Sequence, residues 1–304
     1  MKTLVIGGSG FIGTALVGKL IELGHETAIF DKSPSGYFNH LVNIGDVRDK
    51  DALNKALKGF DVVFNLAAEH RDDVTPKSLY FDVNVAGAEN VCDAADRHGI
   101  KKIIFTSSVA VYGFTEKETD ESGELKPFND YGKTKLEAEK VYCRWLQKGD
   151  DRSLVIIRPT VVFGERNRGN VYNLLRQIVS GNFVMVGKGH NIKSLAYIEN
   201  VAAFLVHALN FPNGYHLFNY ADKPDLDMNS LVSIVKKECG KDGKSGLKVP
   251  YAIGYAGGVF LDLIAKATNR KFPVSAIRIK KFCSNTQFSS SSINSTGFIP
   301  PYSL

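Results

Sequence analysis

Thr3-Leu-Val-Ile-Gly-Gly-Ser-Gly-Phe-Ile-Gly13 opens the chain with a short apolar run followed at once by a glycine-rich turn. Thr3 to Ile6 reads as a buried strand, and from Phe11 to Leu23 apolar residues recur at helical spacing until Gly24 ends the pattern. A short glycine motif by itself says little. Placed between a strand and a helix it describes a turn whose free backbone N–H groups, at the positive end of the helix dipole, suit a pyrophosphate.

The second strand, Thr27-Ala-Ile-Phe30, ends at Asp31, about twenty residues beyond the glycine turn, where a carboxylate can accept both hydroxyls of an adenosine ribose. It would repel a 2′-phosphate, so NAD is favoured over NADP, with Lys32 next door acting in the opposite sense. Asp61–Ala67, Lys102–Thr106 and Leu154–Arg158 are three further apolar runs, each preceded by a helical pattern. Alternation of this kind predicts an α/β chain with a Rossmann-type, doubly wound parallel sheet, whose ligands lie at the carboxyl ends of the strands. Ser108 falls just past one such end, in Thr106-Ser-Ser-Val-Ala-Val-Tyr-Gly113.

Downstream, Asp130-Tyr-Gly-Lys-Thr-Lys135 sets a tyrosine and a lysine four residues apart. On a helix these share a face, so the Lys135 ammonium is expected beneath the Tyr131 phenol, favouring its ionised form. A free tyrosine titrates near ~10, so a base working near neutrality needs such help. Ser108, Tyr131 and Lys135 are the expected catalytic residues of a proton and hydride transfer site.

At 304 residues and 44% hydrophobic, the chain can bury a large core. A Rossmann domain is expected over 1–165 plus 190–212, and a smaller C-terminal α/β substrate-binding lobe over 166–189 plus 213–304, with the serines from Ser289 to Ser292 in a loop of that lobe. Cys92, Cys143, Cys239 and Cys283 form no C-x-x-C pair, so neither a metal site nor a disulfide framework is expected. No secretion leader is visible and no apolar run reaches the ~18 residues of a spanning helix, so a cytoplasmic location is expected. Net charge is +6, with Lys266, Arg270, Lys271, Arg278, Lys280 and Lys281 crowding the C-terminal third. No nucleic-acid-reading module accompanies them, and a diphosphate substrate or an anionic membrane surface is the more economical partner. Tyr251-Ala-Ile-Gly-Tyr-Ala-Gly-Gly-Val-Phe-Leu-Asp-Leu-Ile264 is apolar and too short to span a bilayer; it suits either the headgroup layer or close packing inside the lobe.

These motifs, with Arg158-Pro159, resemble in kind and order the extended short-chain dehydrogenase/reductases, in particular the NAD-dependent sugar epimerases and dehydratases. The resemblance implies that Gly7, Gly10, Phe11, Ile12 and Gly13 hold the pyrophosphate of NAD, Asp31 its adenosine ribose, and Asp46 and Val47 the edge of the adenine. Leu66, Ala67, Ala68 and Ser107 would line the middle of the cofactor site. Tyr131 and Lys135 would meet the nicotinamide ribose and Pro159 the carboxamide, with Asn84 as the family's structural asparagine beside the cofactor. Tyr131 would take the proton of a sugar hydroxyl, with Ser108 bonded to the same oxygen. In the 4,6-dehydratases an Asp-Glu pair follows the catalytic Ser or Thr; here Val109 and Ala110 stand there, so epimerisation is favoured over dehydration. On the substrate side, Asn170, Lys193, Arg278 and Lys281 join Ser108, with Lys193 standing where many UDP-sugar epimerases place an arginine on the diphosphate. His70 and Glu69 are expected at the polar rim.

One subgroup is more similar still. Ala67-Ala-Glu-His-Arg-Asp-Asp-Val74, Arg158-Pro-Thr-Val-Val-Phe-Gly-Glu-Arg-Asn-Arg-Gly-Asn-Val-Tyr-Asn173 and Asp222-Lys-Pro-Asp-Leu-Asp-Met-Asn229 resemble the bacterial polyprenyl-diphosphate N-acetylglucosamine 4-epimerases. That implies conversion of lipid-linked GlcNAc to GalNAc for surface polysaccharides such as O-antigen, peripheral contact with the cytoplasmic face of the inner membrane, a homodimer, and a final helix beyond Leu304. A UDP-GlcNAc or UDP-glucose 4-epimerase, a nucleotide-sugar reductase and a non-catalytic NAD-binding protein are the other readings of the same motifs.

Overall fold

Thr3, Leu4, Val5 and Ile6 are all buried, so both faces of the first strand are covered, and the glycine turn after it lets the chain reverse directly into a helix. The computed structural model describes residues 1–71, 74–244, 246–268 and 275–304, and of Asn170 the backbone only. In chain order the first half comprises β1 (Lys2–Ile6), α1 (Phe11–Glu22), β2 (Glu26–Asp31), β3 (Val42–Ile44), α2 (Lys50–Ala56), β4 (Val62–Asn65), α3 (Ser78–Phe81), α4 (Gly87–His98), β5 (Lys102–Thr106), α5 (Asp130–Leu146) and β6 (Ser153–Pro159). There follow β7 (Val161–Phe163), α6 (Asn170–Ser180), β8 (Met185–Val186), β9 (Ile192–Tyr197), α7 (Ile198–His207), β10 (Gly214–Tyr220), β11 (Asp222–Asp227), α8 (Met228–Glu238), β12 (Lys248–Val249), α9 (Tyr251–Thr268), α10 (Ala276–Cys283) and α11 (Ser291–Asn294).

Seven strands form one sheet in the order β10-β6-β5-β4-β1-β2-β3, every neighbouring pair parallel. From β1 the chain winds one way to β3, then restarts at β4 and winds the other way, so a crevice opens above the carboxyl ends of β1 and β4. Helices cover both faces, as a parallel sheet requires. On one side Leu53, Val91, Val141 and Trp145 of α2, α4 and α5 pack on the sheet. On the other, Leu16 and Leu20 of α1 meet Val201 and Phe204 of α7. This is the doubly wound α/β fold that the sequence predicts.

A smaller set of elements sits at the carboxyl edge. β11, β9 and β7 form a three-stranded sheet and β12 pairs with β8. Ile178, Met185, Leu195, Met228 and Val232 bury a separate core between α6 and α8.

Several expectations change here. Gly214–Tyr220, assigned from sequence to the substrate lobe, is the outer strand of the main sheet, in register with Ser153–Pro159. Ile192–Tyr197, assigned to the cofactor domain, pairs instead with β11 and β7. The serine run is not a loop of the lobe: Ser291–Asn294 is a helical turn whose Ile293 is buried in the core beneath α1 and α7. The strand expected to reach Ala67 stops at Asn65, because the Asn65 side chain accepts the Ala67 N–H at 3.0 Å and turns the chain.

A buried ion pair ties the catalytic edge together. Arg158 at the end of β6 donates to both oxygens of Glu139 on α5, at 2.9 and 2.6 Å, with the two side chains 3% and 5% exposed. Glu139 also accepts from Ser107 Oγ at 2.5 Å, and Arg158 donates to Tyr112 Oη, which donates to Asn219 of β10. Removing one member of such a pair leaves an unpaired buried charge. Glu139→Ala is therefore expected to cost about 3–5 kcal/mol of unfolding free energy in urea titrations. A cost under roughly 1 kcal/mol would show that the pair does not hold this edge.

Candidate active site

The glycine turn is built for close approach. Gly7 has φ +79°, and a Cβ there would lie 2.8 Å from Ala67 N; a Cβ on Gly13 would lie 2.4 Å from Gly7 O. Side chains are thus excluded at both ends, and the first turn of α1 is brought against β1 and β4. Gly10 is its N-cap and supplies no side chain, so the leading N–H groups of α1 face the crevice without an intrahelical acceptor.

Asp31 ends β2 with its carboxylate held by Ser9 N and Ser33 N, each at 3.0 Å. Asp46 is gripped by the Arg48 guanidinium at 2.9 and 2.7 Å, whose hydrogen bonds hold its carboxyl below the usual range against the opposing pull of burial. A cavity of about 1620 Å³ runs from these residues past Leu66, Ala67, Ser107, Ser108, Tyr131, Lys135 and Pro159 into the smaller lobe. A single small-molecule site commonly takes ~300–1,000 Å³, so the space suits two ligands end to end.

The cavity meets the demands of a dinucleotide. Its wall includes the side-chain-free turn, an uncapped helix start and an aspartate at the right strand end. Thr106 and Thr160, also on the wall, carry buried hydroxyls with no partner in the protein. A polar ligand would satisfy them.

At the centre, the half-buried Tyr131 phenol meets the Ser108 hydroxyl in a hydrogen bond. Burial raises the phenol's pKa above its ordinary value, and the Ser108 bond offsets part of that rise. Lys135 is 2% exposed and donates to Thr106 O at 2.7 Å, its ammonium 4.5 Å from the Phe105 ring. Burial pulls its pKa down to about 7, with Glu139 opposing. The expectation that Lys135 acidifies the phenol in the unliganded chain is therefore corrected. The two residues do share a helix face, and the long lysine stem carries its ammonium to the Thr106 carbonyl at the end of β5.

Three other expected residues are placed differently. Asn84 is buried in a π-helical turn, Asp82–Ala86, behind the cavity wall. Its amide accepts from Glu69 N and donates to Glu69 O and Thr134 Oγ1, which gives it a structural role. Lys193 borders the cavity but spends its ammonium on Lys281 O and Ser284 O, at 3.0 and 2.6 Å, and burial pulls its pKa down to about 8. Glu69, expected at the rim, is buried, while His70 is exposed at the cavity edge.

Asn170 opens α6, its side chain outside the described residues; Asp72, Asp73, Arg270 and Lys271 also lie outside them. Arg278 and Lys281 line the lobe end of the cavity, where Arg176 of α6 joins them. Reading from the sequence missed Arg176, since its position on a helix flank carries no motif. It also missed Phe114 and Phe128, which stack at 4.5 Å and receive Lys280 and Lys281 of α10 over their rings, closing one side of the cavity.

A Rossmann sheet, a glycine cradle and a Ser-Tyr-Lys set at the switch point define a nicotinamide-dependent enzyme of the short-chain dehydrogenase/reductase type. The chain belongs to the NAD dependent epimerase/dehydratase family, whose model matches residues 3–221, and NAD is its cofactor. It is 51% identical, over 100% of its length and 92% of the relative's, to the N-acetyl-alpha-D-glucosaminyl-diphospho-ditrans,octacis-undecaprenol 4-epimerase of Escherichia coli O157:H7. A putative UDP-glucose 4-epimerase of Methanocaldococcus jannaschii is 30% identical over 86% of this chain and 89% of its own. The structure of the Thermus thermophilus UDP-glucose 4-epimerase complex with NAD superposes with a TM-score of 0.77 at 20% identity, covering 100% of this chain and 95% of that one. That likeness is one of fold.

Two outcomes follow from the titrating groups. Without cofactor, Tyr131 should ionise above its ordinary ~10, and a bound pyridinium cation should lower that value. Ultraviolet titration of the phenolate with and without NAD⁺, using Tyr131→Phe as blank, measures both. An apo value at or below ~10 contradicts the burial argument. Lys135 has a folded-state pKa below its unfolded one, so between about 7 and 10.5 the unfolded chain binds more protons and stability rises with pH. In Lys135→Met apoprotein that rise should shrink, and the fold should be more resistant to urea at about pH 7 and below. Identical pH profiles for the two proteins would refute the shift.

Proposed function

We propose that this enzyme is a 4-epimerase of a diphosphate-linked N-acetylhexosamine, interconverting polyprenyl-diphosphate GlcNAc and GalNAc through a 4-keto sugar, in the assembly of surface polysaccharides such as O-antigen. The observation carrying this reading is the full-length, 51% identical match to an enzyme named for that reaction, joined to a cavity lined by Ser108, Tyr131 and Lys135.

In this reading Gly7, Gly10, Phe11, Ile12 and Gly13 hold the pyrophosphate of NAD, Asp31 its adenosine ribose, and Asp46 and Val47 border the adenine. Lys135 turns from Thr106 O to the nicotinamide ribose. Bound NAD would supply a hydride acceptor and donor for sugar C4, so that no net oxidation would result. Tyr131, as phenolate, takes the C4 hydroxyl proton and later gives it back, and Ser108 bonds the same oxygen as it becomes a carbonyl. Between the two transfers the keto sugar turns about its bond to the diphosphate, for which the wide cavity leaves room. Val109 and Ala110 carry no proton, so water is not expelled.

The two-lobe division is part of the same proposal, redrawn with β10 in the cofactor domain and β9 in the lobe. So is peripheral membrane contact. No helix among the described residues is long and apolar enough to cross a membrane, yet α9 is apolar almost all round and buries only Gly258. Ile253, Phe260 and Leu263 are 63%, 63% and 62% exposed. A helix apolar on every side needs cover, and an interfacial lipid layer supplies it beside the basic α10. A homodimer through the helices of the cofactor domain completes the reading.

Turnover of GlcNAc carried on a prenyl diphosphate, with little or none on UDP-GlcNAc, is the expected assay result. Conversion of UDP-GlcNAc alone would overturn the lipid carrier. Tyr131→Phe should retain bound NAD and lose about 10²–10⁴-fold in kcat; near-normal turnover would remove Tyr131 as the base. Flotation with anionic liposomes at low salt should recover the protein with the vesicles, and Leu263→Asp should reduce that recovery. Equal recovery of both would place the contact elsewhere.

A further inference from the structure

The cavity does not end at the cations of the smaller lobe. Besides Arg176, Arg278 and Lys281 its lobe wall includes an apolar stretch formed by Val186, Val249 and one face of α9, which packs on Val186 and on α10. On that face Ile253, Gly254, Gly257, Gly258, Phe260 and Leu261 follow one another at helical spacing, all on the wall.

The three glycines are not equivalent. A Cβ on Gly254 would come within 2.6 Å of Val186, and one on Gly258 within 2.8 Å of Ala276 N, so both permit close packing. A Cβ on Gly257 would have nothing within 4 Å among the described residues. Glycine in a helix interior is disfavoured, and no neighbour requires it there. What its missing side chain leaves open is the cavity.

Charge divides the same space. Among the described residues, the carboxylates on the wall are Asp31 and Asp46, both at the β2–β3 end with Lys32 beside them, whereas the cations Arg176, Lys193, Arg278 and Lys281 lie toward the lobe without a carboxylate on the wall there. A dianion is favoured between them, with an apolar exit on its far side.

We propose that the cavity-facing side of α9, with Gly257 at its centre, is a binding lane for the first isoprenoid units of a prenyl diphosphate. The lane rests on reading the substrate as diphosphate-linked, and it makes Gly257 and Ile253 determinants of carrier specificity. Only a carrier with an apolar chain on the diphosphate fills it; the ribose and uracil of a UDP-sugar find no polar partner on this wall.

The test separates the lane from the chemistry. Calorimetry on the full-length, NAD-loaded protein compares farnesyl diphosphate with ethyl diphosphate, which share the anion and differ in the tail. Farnesyl diphosphate is expected to bind roughly 100-fold more tightly, from burial of the added methylenes. Gly257→Leu, which fills the lane, should cut that ratio at least tenfold. Ile253→Asp, at an exposed position that leaves folding intact, should do the same and decides the matter if the first variant misfolds. A ratio near one in the wild type, or an unchanged ratio in a folded variant, overturns the lane. Tail-dependent binding lost in the variants, together with a wild type that epimerises no GlcNAc diphosphate on any carrier, would uphold the lane and sink the epimerase reading.

Discussion

One buried carboxylate sets how the carboxyl edge of the sheet presents its chemistry. Glu139 on α5 holds Arg158 of β6 and Ser107 beyond β5, and through Arg158 and Tyr112 the network reaches Asn219 of β10. Three strand ends and the helix bearing Tyr131 and Lys135 are thereby fixed to one another. A buried ion pair is a weak source of stability, since desolvation offsets much of its attraction, so its value here is geometric. Arg158 shows the balance: burial alone would lower its pKa, and the bonds to Glu139 outweigh that and raise it. Ser108 follows Ser107 directly, which places the catalytic hydroxyl one residue from the node.

The readable parts of this protein were those encoded locally. β1, the glycine turn and α1 follow from a period change within about twenty residues, and the Asp31 position from the strand before it. What escaped were outcomes decided at long range. Gly214–Tyr220 is a competent strand by composition, but only its pairing with Ser153–Pro159 makes it part of the main sheet. The backbone carbonyls on which Lys135 and Lys193 rest are likewise set by tertiary packing, since a buried ammonium takes the nearest acceptor. Asn84, named as the family's structural asparagine, is bonded to Glu69 and Thr134 through contacts that no local pattern encodes. For α9 the sequence offered two environments, and exposure of Ile253, Phe260 and Leu263 disfavours packing inside the lobe.

Burial at the catalytic centre disfavours charge on both working residues. It raises the pKa of the Tyr131 phenol and lowers that of the Lys135 ammonium. In bulk water a neighbouring cation would do little to change that; in a dehydrated cavity the same charge acts through a lower effective dielectric and at full strength. The feature that strains the unliganded fold is therefore what makes a bound cofactor's charge effective. In the proposed mechanism, cofactor binding would offset that cost by mass action and favour the phenolate in the same event. Coupling of this kind would confine the phenolate to the complex in which the proposed sugar hydroxyl stands ready to use it, and it would follow from burying a tyrosine and a lysine on one helix face.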